Sequence, residues 1–277
     1  MKSIYKGLPI LFAFILLFTA CGSVGPVEAL HSDLQRNENP MANGTDQESV
    51  ATGNNAFALD LLHLLSKETG NLFYSPYSIT SALAMTWAGA GGQTASQMAE
   101  ALHFNLDPAA FHPALNALML ALDSRAKAEG IDPEKAFQLH IANALWGQKG
   151  FPFRSEFLDT LALNYGAGMN LADFEQDPEA ARQAINDWVS RETEKRIQDI
   201  VPQGAIDPLT RLVLANAIYF KADWESEFDK NATSPQKFHL ADGTTVSVPT
   251  MNQHAGYRYA SSAGLQAVEL PYSGDQI

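Results

Sequence analysis

Side chains that could do chemistry are scattered along this sequence rather than grouped. The histidines at 31, 63, 103, 112, 140, 239 and 254 share no metal-ligand spacing and read as surface or internally satisfied residues. Asp223, Glu225, Glu227 and Asp229 alternate like the ligands of a calcium loop, but Phe228 stands where that loop needs glycine. A solvated acidic strand or turn accounts for them. Gly89-Ala90-Gly91-Gly92 is glycine-rich, yet no Lys or Ser/Thr follows at phosphate-loop spacing, and a tight connection between two helices suffices. Neither a Gly-x-Ser-x-Gly elbow nor a His-Glu-x-x-His helix occurs. The lone cysteine, Cys21, excludes an intrachain disulfide and cysteine-rich metal centres. No catalytic residue, metal site or cofactor is expected, and an enzyme is the disfavoured reading.

The elements that would position any functional residue begin after an N-terminal targeting segment. Lys2 and Lys6 precede an apolar run from Leu8 to Phe18 and then Thr19-Ala20-Cys21, the pattern of a secretory signal peptide over residues 1–20. The run is shorter than the ~20 apolar residues a membrane span needs. Cys21 at the cleavage point resembles the bacterial lipoprotein signal, which implies lipidation there and a membrane anchor, although Phe18 replaces the usual Leu. An ordinary cleaved signal with an incidental cysteine is the alternative. Residues 21–53 are polar and nearly free of aromatics, and read as a lipidated Cys followed by a flexible tether of roughly 30 Å reach. The folded part is assigned to 54–277.

Over the 277 residues, 18 Lys+Arg against 31 Asp+Glu give a formal charge of −13, which argues against a nucleic-acid partner. Helical spacing of apolar residues runs from Ala56 to Leu65, and Leu72-Phe73-Tyr74 reads as a short strand. Ser75-Pro76 caps a helix over Tyr77–Ala88 that is apolar on nearly every face and so belongs inside the protein. Further helices follow from Thr94, Asp107, Phe153 and Asp177, with strands at Phe137–Trp146 and Ala167–Phe174 between them. Leu212–Phe220 is nearly continuously apolar, as in the centre of a sheet, and shorter strands follow to Leu270. Helices early and strands late indicate an α+β fold. Asn216 interrupts the apolar run, and an amide there is costly unless partnered.

Blocks spread over residues 54–277 resemble the serpin family, in the family's order. They are Asn71 through Ile79, Ala82-Leu83-Ala84-Met85, Gly89 through Thr94 and Ala142-Asn143-Ala144-Leu145-Trp146. Ile185-Asn186 with Trp188-Val189, Asn216 through Lys221 with Trp224 and Phe228, Val248-Pro249-Thr250-Met251 and Ala267 through Tyr272 complete them. Glu194-Lys195-Arg196 departs from the Gly-Lys that many serpins carry before Ile197. The resemblance implies a serpin fold, with a helical N-terminal bundle packed on a large mixed β-sheet plus smaller sheets, here C-terminally truncated. It also implies suicide-substrate inhibition of serine, and in some cases cysteine, proteases by insertion of a cleaved reactive loop into the sheet. By family position Ser75, Ser78 and Asn216 form the polar cluster under the opening sheet, and Trp224 lies at the loop's entry. The alternative is that Ser75 is only a helix cap and Asn216 an edge-facing polar residue. The sequence ends at Ile277 without a reactive loop or scissile bond, so inhibition of a target protease is expected of a full-length form. A non-inhibitory binding or storage protein, or an inactive fragment, are the competing readings.

Overall fold

The computed structural model describes residues 28–125 and 137–274, so the signal segment and Cys21 lie outside the described residues. In chain order the elements are β1 (Ala29–Leu30), α1 (Gly44–Leu65), α2 (Pro76–Trp87), α3 (Gly92–Ala101), α4 (Pro108–Arg125) and β2 (Gln138–Gln148). There follow α5 (Ser155–Tyr165), β3 (Met169–Ala172), α6 (Pro178–Glu192), β4 (Leu212–Lys221), β5 (Ser234–His239), β6 (Thr245–Thr250), β7 (Arg258–Ser262) and β8 (Leu265–Glu269). Local chemistry sets the helix ends. Ser75 Oγ accepts from the Ser78 N–H at 3.3 Å, and Asp177 accepts from the Ala180 N–H at 3.0 Å, each followed by proline at the first helical position. Gly166 closes α5 with φ +61°, which a glycine adopts without steric cost.

Four strands form a mixed sheet in the order β1-β3-β2-β4, with β2 and β3 parallel and the other pairs antiparallel. The pleat of β2 divides the core in two. Leu145 faces the helical layer and packs with Met85, Leu115, Leu161 and Met169. Ala144 and Trp146 face the other way, against Ile185 and Val189 of α6 and Phe174. Helices therefore cover both faces of the sheet. Hairpins β5–β6 and β7–β8 carry mostly exposed residues.

Two expectations are corrected. The described part of the supposed tether is seated on the fold: the Leu171 N–H donates to Glu28 O at 2.7 Å, and β1 pairs with β3. Arg36 Nε donates to Asn116 Oδ1 at 3.0 Å, the Asn37 N–H donates to Leu163 O at 2.9 Å, and α1 already starts at Gly44, capped by Asn43. Polar composition concealed this because the segment's polar groups find protein partners while Leu30 and Ala42 pack on the core. Leu72–Tyr74 is irregular rather than a strand, because no described strand lies beside it; Phe73 is 92% exposed. The strand β4, whose apolar sequence suits a sheet centre, pairs on one side only among the described residues. Its buried residues, Ala215 and Ala217, face α6, while Leu212 and Phe220 toward its ends are exposed.

The departure at the end of α6 has a backbone consequence. Glu194 and Lys195 adopt φ of +48° and +62°, a left-handed conformation that costs a non-glycine residue about 1–2 kcal/mol.

Buried in the helical layer, His112 Nδ1 lies 2.6 Å from the Tyr165 hydroxyl, with the Trp87 ring 5.3 Å away. Burial lowers the His112 pKa from its ordinary 6.5 to about 4 and raises that of Tyr165, so the phenol donates to a neutral imidazole. As pH falls, the unfolded chain takes up this proton before the folded one. The stabilisation is thus complete above pH 6.5 and is lost toward pH 4, by about 3 kcal/mol at about 1.4 kcal/mol per pH unit. Urea unfolding at pH 7 and pH 4 should show a loss smaller by about that amount in His112→Gln than in the parent; equal losses would contradict the assignment.

Candidate functional site

The register of β2 on β4 places Asn143 opposite Asn216, with Ala142 opposite Ala217 and Ala144 opposite Ala215. Alanines 144, 215 and 217 turn toward α6, so by alternation the two asparagines share the face that carries Leu145 and lies under α2. Opposed residues of an antiparallel pair hold their Cβ atoms about 5 Å apart, within reach of two carboxamides. Asn216 Nδ2 donates to Asn143 Oδ1 at 2.5 Å, to Ser78 Oγ at 2.8 Å and to the Ser78 carbonyl at 3.2 Å. Ser78 Oγ in turn donates to Asn216 Oδ1 at 3.1 Å. Ser78 is 1% exposed while Asn143 and Asn216 are half-buried, and the three side chains satisfy one another. The first turn of α2, the edge strand β4 and its neighbour β2 thereby meet at one polar point inside apolar packing.

Among the predicted residues, Ser78 and Asn216 are in direct contact. Ser75 is the cap of α2 and joins them only through its bond to the Ser78 N–H. Trp224 lies beyond the C-terminal end of β4, stacked on Tyr272 at 4.6 Å with 12° between the rings, and edge-on to Phe228 at 6.0 Å. Cys21 is outside the described residues. Asn143 was missed, although a signal existed: Ala-Asn-Ala occurs twice, at 142–144 and 215–217, and the two triplets pair in register.

On the other face of the sheet, α6 is latched to the loop that follows it. Arg182 donates to Asp199 at 2.9 Å and to Val201 O at 2.8 Å, while Asn186 bonds Asp199 and Val201 through both ends of its amide. Arg182, with Gln183, also holds the Glu179 carboxyl at a pKa of about 2. No group of three or more His, Cys, Asp or Glu among the described residues could hold a metal ion. The chemistry available at the cluster is hydrogen bonding that either holds β4 on its neighbours or releases it.

Residues 52–277 match the sequence profile described as Serpin (serine protease inhibitor). The chain belongs to the serpin family. A serpin-like protein of Thermococcus kodakarensis is 39% identical over 83% of this chain and 52% of its own length; the leukocyte elastase inhibitor of Equus caballus is 38% identical over 83% and 59%. Among solved structures, emu ovalbumin aligns with a TM-score of 0.73 at 27% identity over 83% of this chain and 62% of that one. An Arabidopsis serpin in its native stressed conformation aligns at 0.73 and 29% identity over 85% and 59%. The fold is the serpin fold, and this chain spans between half and two thirds of the length of these relatives.

Truncating Asn216 would leave the half-buried amide of Asn143 and the buried hydroxyl of Ser78 without this partner. Asn216→Ala should cost about 2–3 kcal/mol of unfolding free energy. In a cycle with Asn143→Ala the double variant should lose at least about 1 kcal/mol less than the sum of the singles. Additive losses in denaturant titrations would mean that the two amides act separately.

Proposed function

We propose that this protein acts as an inhibitor of serine endopeptidases, and of some cysteine endopeptidases, rather than as an enzyme. The observation that carries the reading is the outer edge of β4, which pairs with no other strand among the described residues and lies over the Ser78–Asn216–Asn143 cluster. A row of free backbone N–H and C=O groups is a template for one more strand. Family membership and relatives named leukocyte elastase inhibitor and antithrombin-III support the same reading. In it, the protease nucleophile attacks the carbonyl of a reactive loop C-terminal to Ile277, the peptide C–N bond breaks, and the amine leaves with a proton. The acylated loop strand then inserts beside β4 before water can cleave the ester.

A polypeptide that continues through such a loop is expected to form a complex with an elastase-type serine protease that survives boiling in detergent, whereas the chain ending at Ile277 is not. Cleavage of the loop with quantitative release of active protease would overturn the inhibitory reading in favour of a binding or storage protein.

The protein is further proposed to be exported and held at a membrane by a lipid on Cys21, supported by Lys2, Lys6, the apolar run Leu8–Phe18 and the position of the cysteine. No helix among the described residues is long and apolar enough to cross a membrane. With β1 fixed on the sheet, the seven steps from Cys21 to Glu28 extend at most ~25 Å, which would keep the body close to the bilayer. Fractionation of expressing bacteria should find the protein with membranes and Cys21→Ser in the soluble fraction. Identical distribution of the two would rule out the anchor.

A further inference from the structure

The described chain enters the fold at one end of the mixed sheet. Glu28 O accepts from the Leu171 N–H at 2.7 Å, and the Glu28 carboxylate pairs with Lys149 Nζ at 2.7 Å. The Lys149 N–H donates to Ala172 O at 2.9 Å and the Gln148 N–H to Arg211 O at 3.0 Å. The last residues of β2 and β3 and the first of β4 therefore meet here. Two loops project from this end. In the first, Phe151 is 45% exposed, with its N–H fixed on Gln148 O at 3.1 Å. In the second, the turn 207–210 presents Leu209, which is 79% exposed. That turn is built to hold its shape: the Leu209 N–H donates to Asp207 Oδ1 at 2.9 Å, and Arg211 Nη1 donates to the carbonyls of Pro208 and Thr210. Phe151, Arg211 and the exposed Leu212 line one open cleft of about 690 Å³, which sets the two loops side by side.

Apolar side chains held out on ordered loops mark a contact surface, and where the chain leads identifies the contact. Cys21 lies seven residues before Glu28, at most ~25 Å away, so an acyl group there would keep this end of the sheet within reach of a bilayer. The charges suit that neighbour. The chain as a whole carries −13, whereas here Lys149, Arg154 and Arg211 nearly offset Glu28, Glu156, Asp173 and Asp207. An almost neutral apolar tip meets zwitterionic headgroups without repulsion, and aromatic and leucine side chains gain by leaving water there. We propose that Phe151, Leu209 and Leu212 seat this end of the protein on the surface of a zwitterionic bilayer. A tether this short keeps the local concentration high, so a contact of three side chains suffices. The inference rests on the Cys21 anchor proposed above and adds a face and an orientation to it. From this end β4 runs ten residues, about 33 Å, so Trp224 beyond its far end would point away from the membrane, toward proteases in solution.

The test uses residues 21–277, which include every described residue, coupled to phosphatidylcholine vesicles by a maleimide lipid on Cys21, the chain's single cysteine. Amide exchange is followed by mass spectrometry. Relative to the same protein without lipid, residues 149–154 and 207–212 should exchange about fivefold more slowly, with hairpins β5–β6 and β7–β8 unchanged. Leu209→Asp should remove most of that protection and leave the melting temperature as it is, since the side chain it replaces stands in solvent. Equal exchange with and without vesicles, protection centred on the hairpins, full protection in Leu209→Asp, or protection only on anionic phosphatidylglycerol vesicles would each overturn the proposal. Because the lipid is attached chemically, the result does not depend on lipidation in the cell. A soluble parent protein in the fractionation above would remove the anchor alone, and exchange unaltered by vesicles would remove the docking surface alone.

Discussion

Two asparagines facing each other across an antiparallel pair, closed from above by a serine hydroxyl, hold this structure at its most consequential point. An amide in the middle of an apolar strand is costly unless partnered, and Asn216 engages both its Nδ2 and its Oδ1 with Asn143 and Ser78. The interaction is directional, unlike the packing around it. It therefore fixes three elements relative to one another: α2 along its axis, β4 in register, and β2 beneath the helix. Sliding β4 by one residue would turn Asn216 toward α6 and bury it among Ile185 and Val189 with nothing to bond.

The remainder of the fold treats the two borders of the sheet unequally. On one side β3 is closed by β1, with Ser32, Arg36 and Asn37 tying the same segment down to α4 and α5. On the other, β4 pairs with no further strand among the described residues and lies over the polar cluster, next to the stacked Trp224–Tyr272 pair. Both faces of the sheet are sealed by helices, one of them latched through Arg182 and Asn186. Among the described residues the sheet is thus covered by helices on both faces, closed by β1 along one border and unpaired along the other.

Much of this was legible from residue order. Ser75-Pro76 and Asp177-Pro178 announced helix starts because cap and first-turn proline act locally. The apolar α2 and the strand at Leu212 were readable because burial demands apolar residues whatever the neighbours. What escaped notice depended on partners far away in sequence. Residues 28–43 look solvated until Asn116, Asp159 and Leu163 are brought to them, and Leu72–Tyr74 has strand composition but no strand beside it. Asn143 was hidden for the same reason, since its role is set by a register spanning 73 residues. The pairing of Ser78 with Asn216 could be anticipated from family position, while the lesser place of Ser75 needed the geometry.

The directional hold of the cluster on β4 can be measured most directly by amide hydrogen exchange over residues 212–221, with and without the Asn216 side chain. In the parent protein the inward-bonded amides of β4 should exchange as slowly as those of β2. In Asn216→Ala they should open on the order of thirtyfold faster, while β3 keeps its protection. If β4 exchanges at the same rate in both proteins, packing alone holds the strand, and the polar cluster does not govern its release.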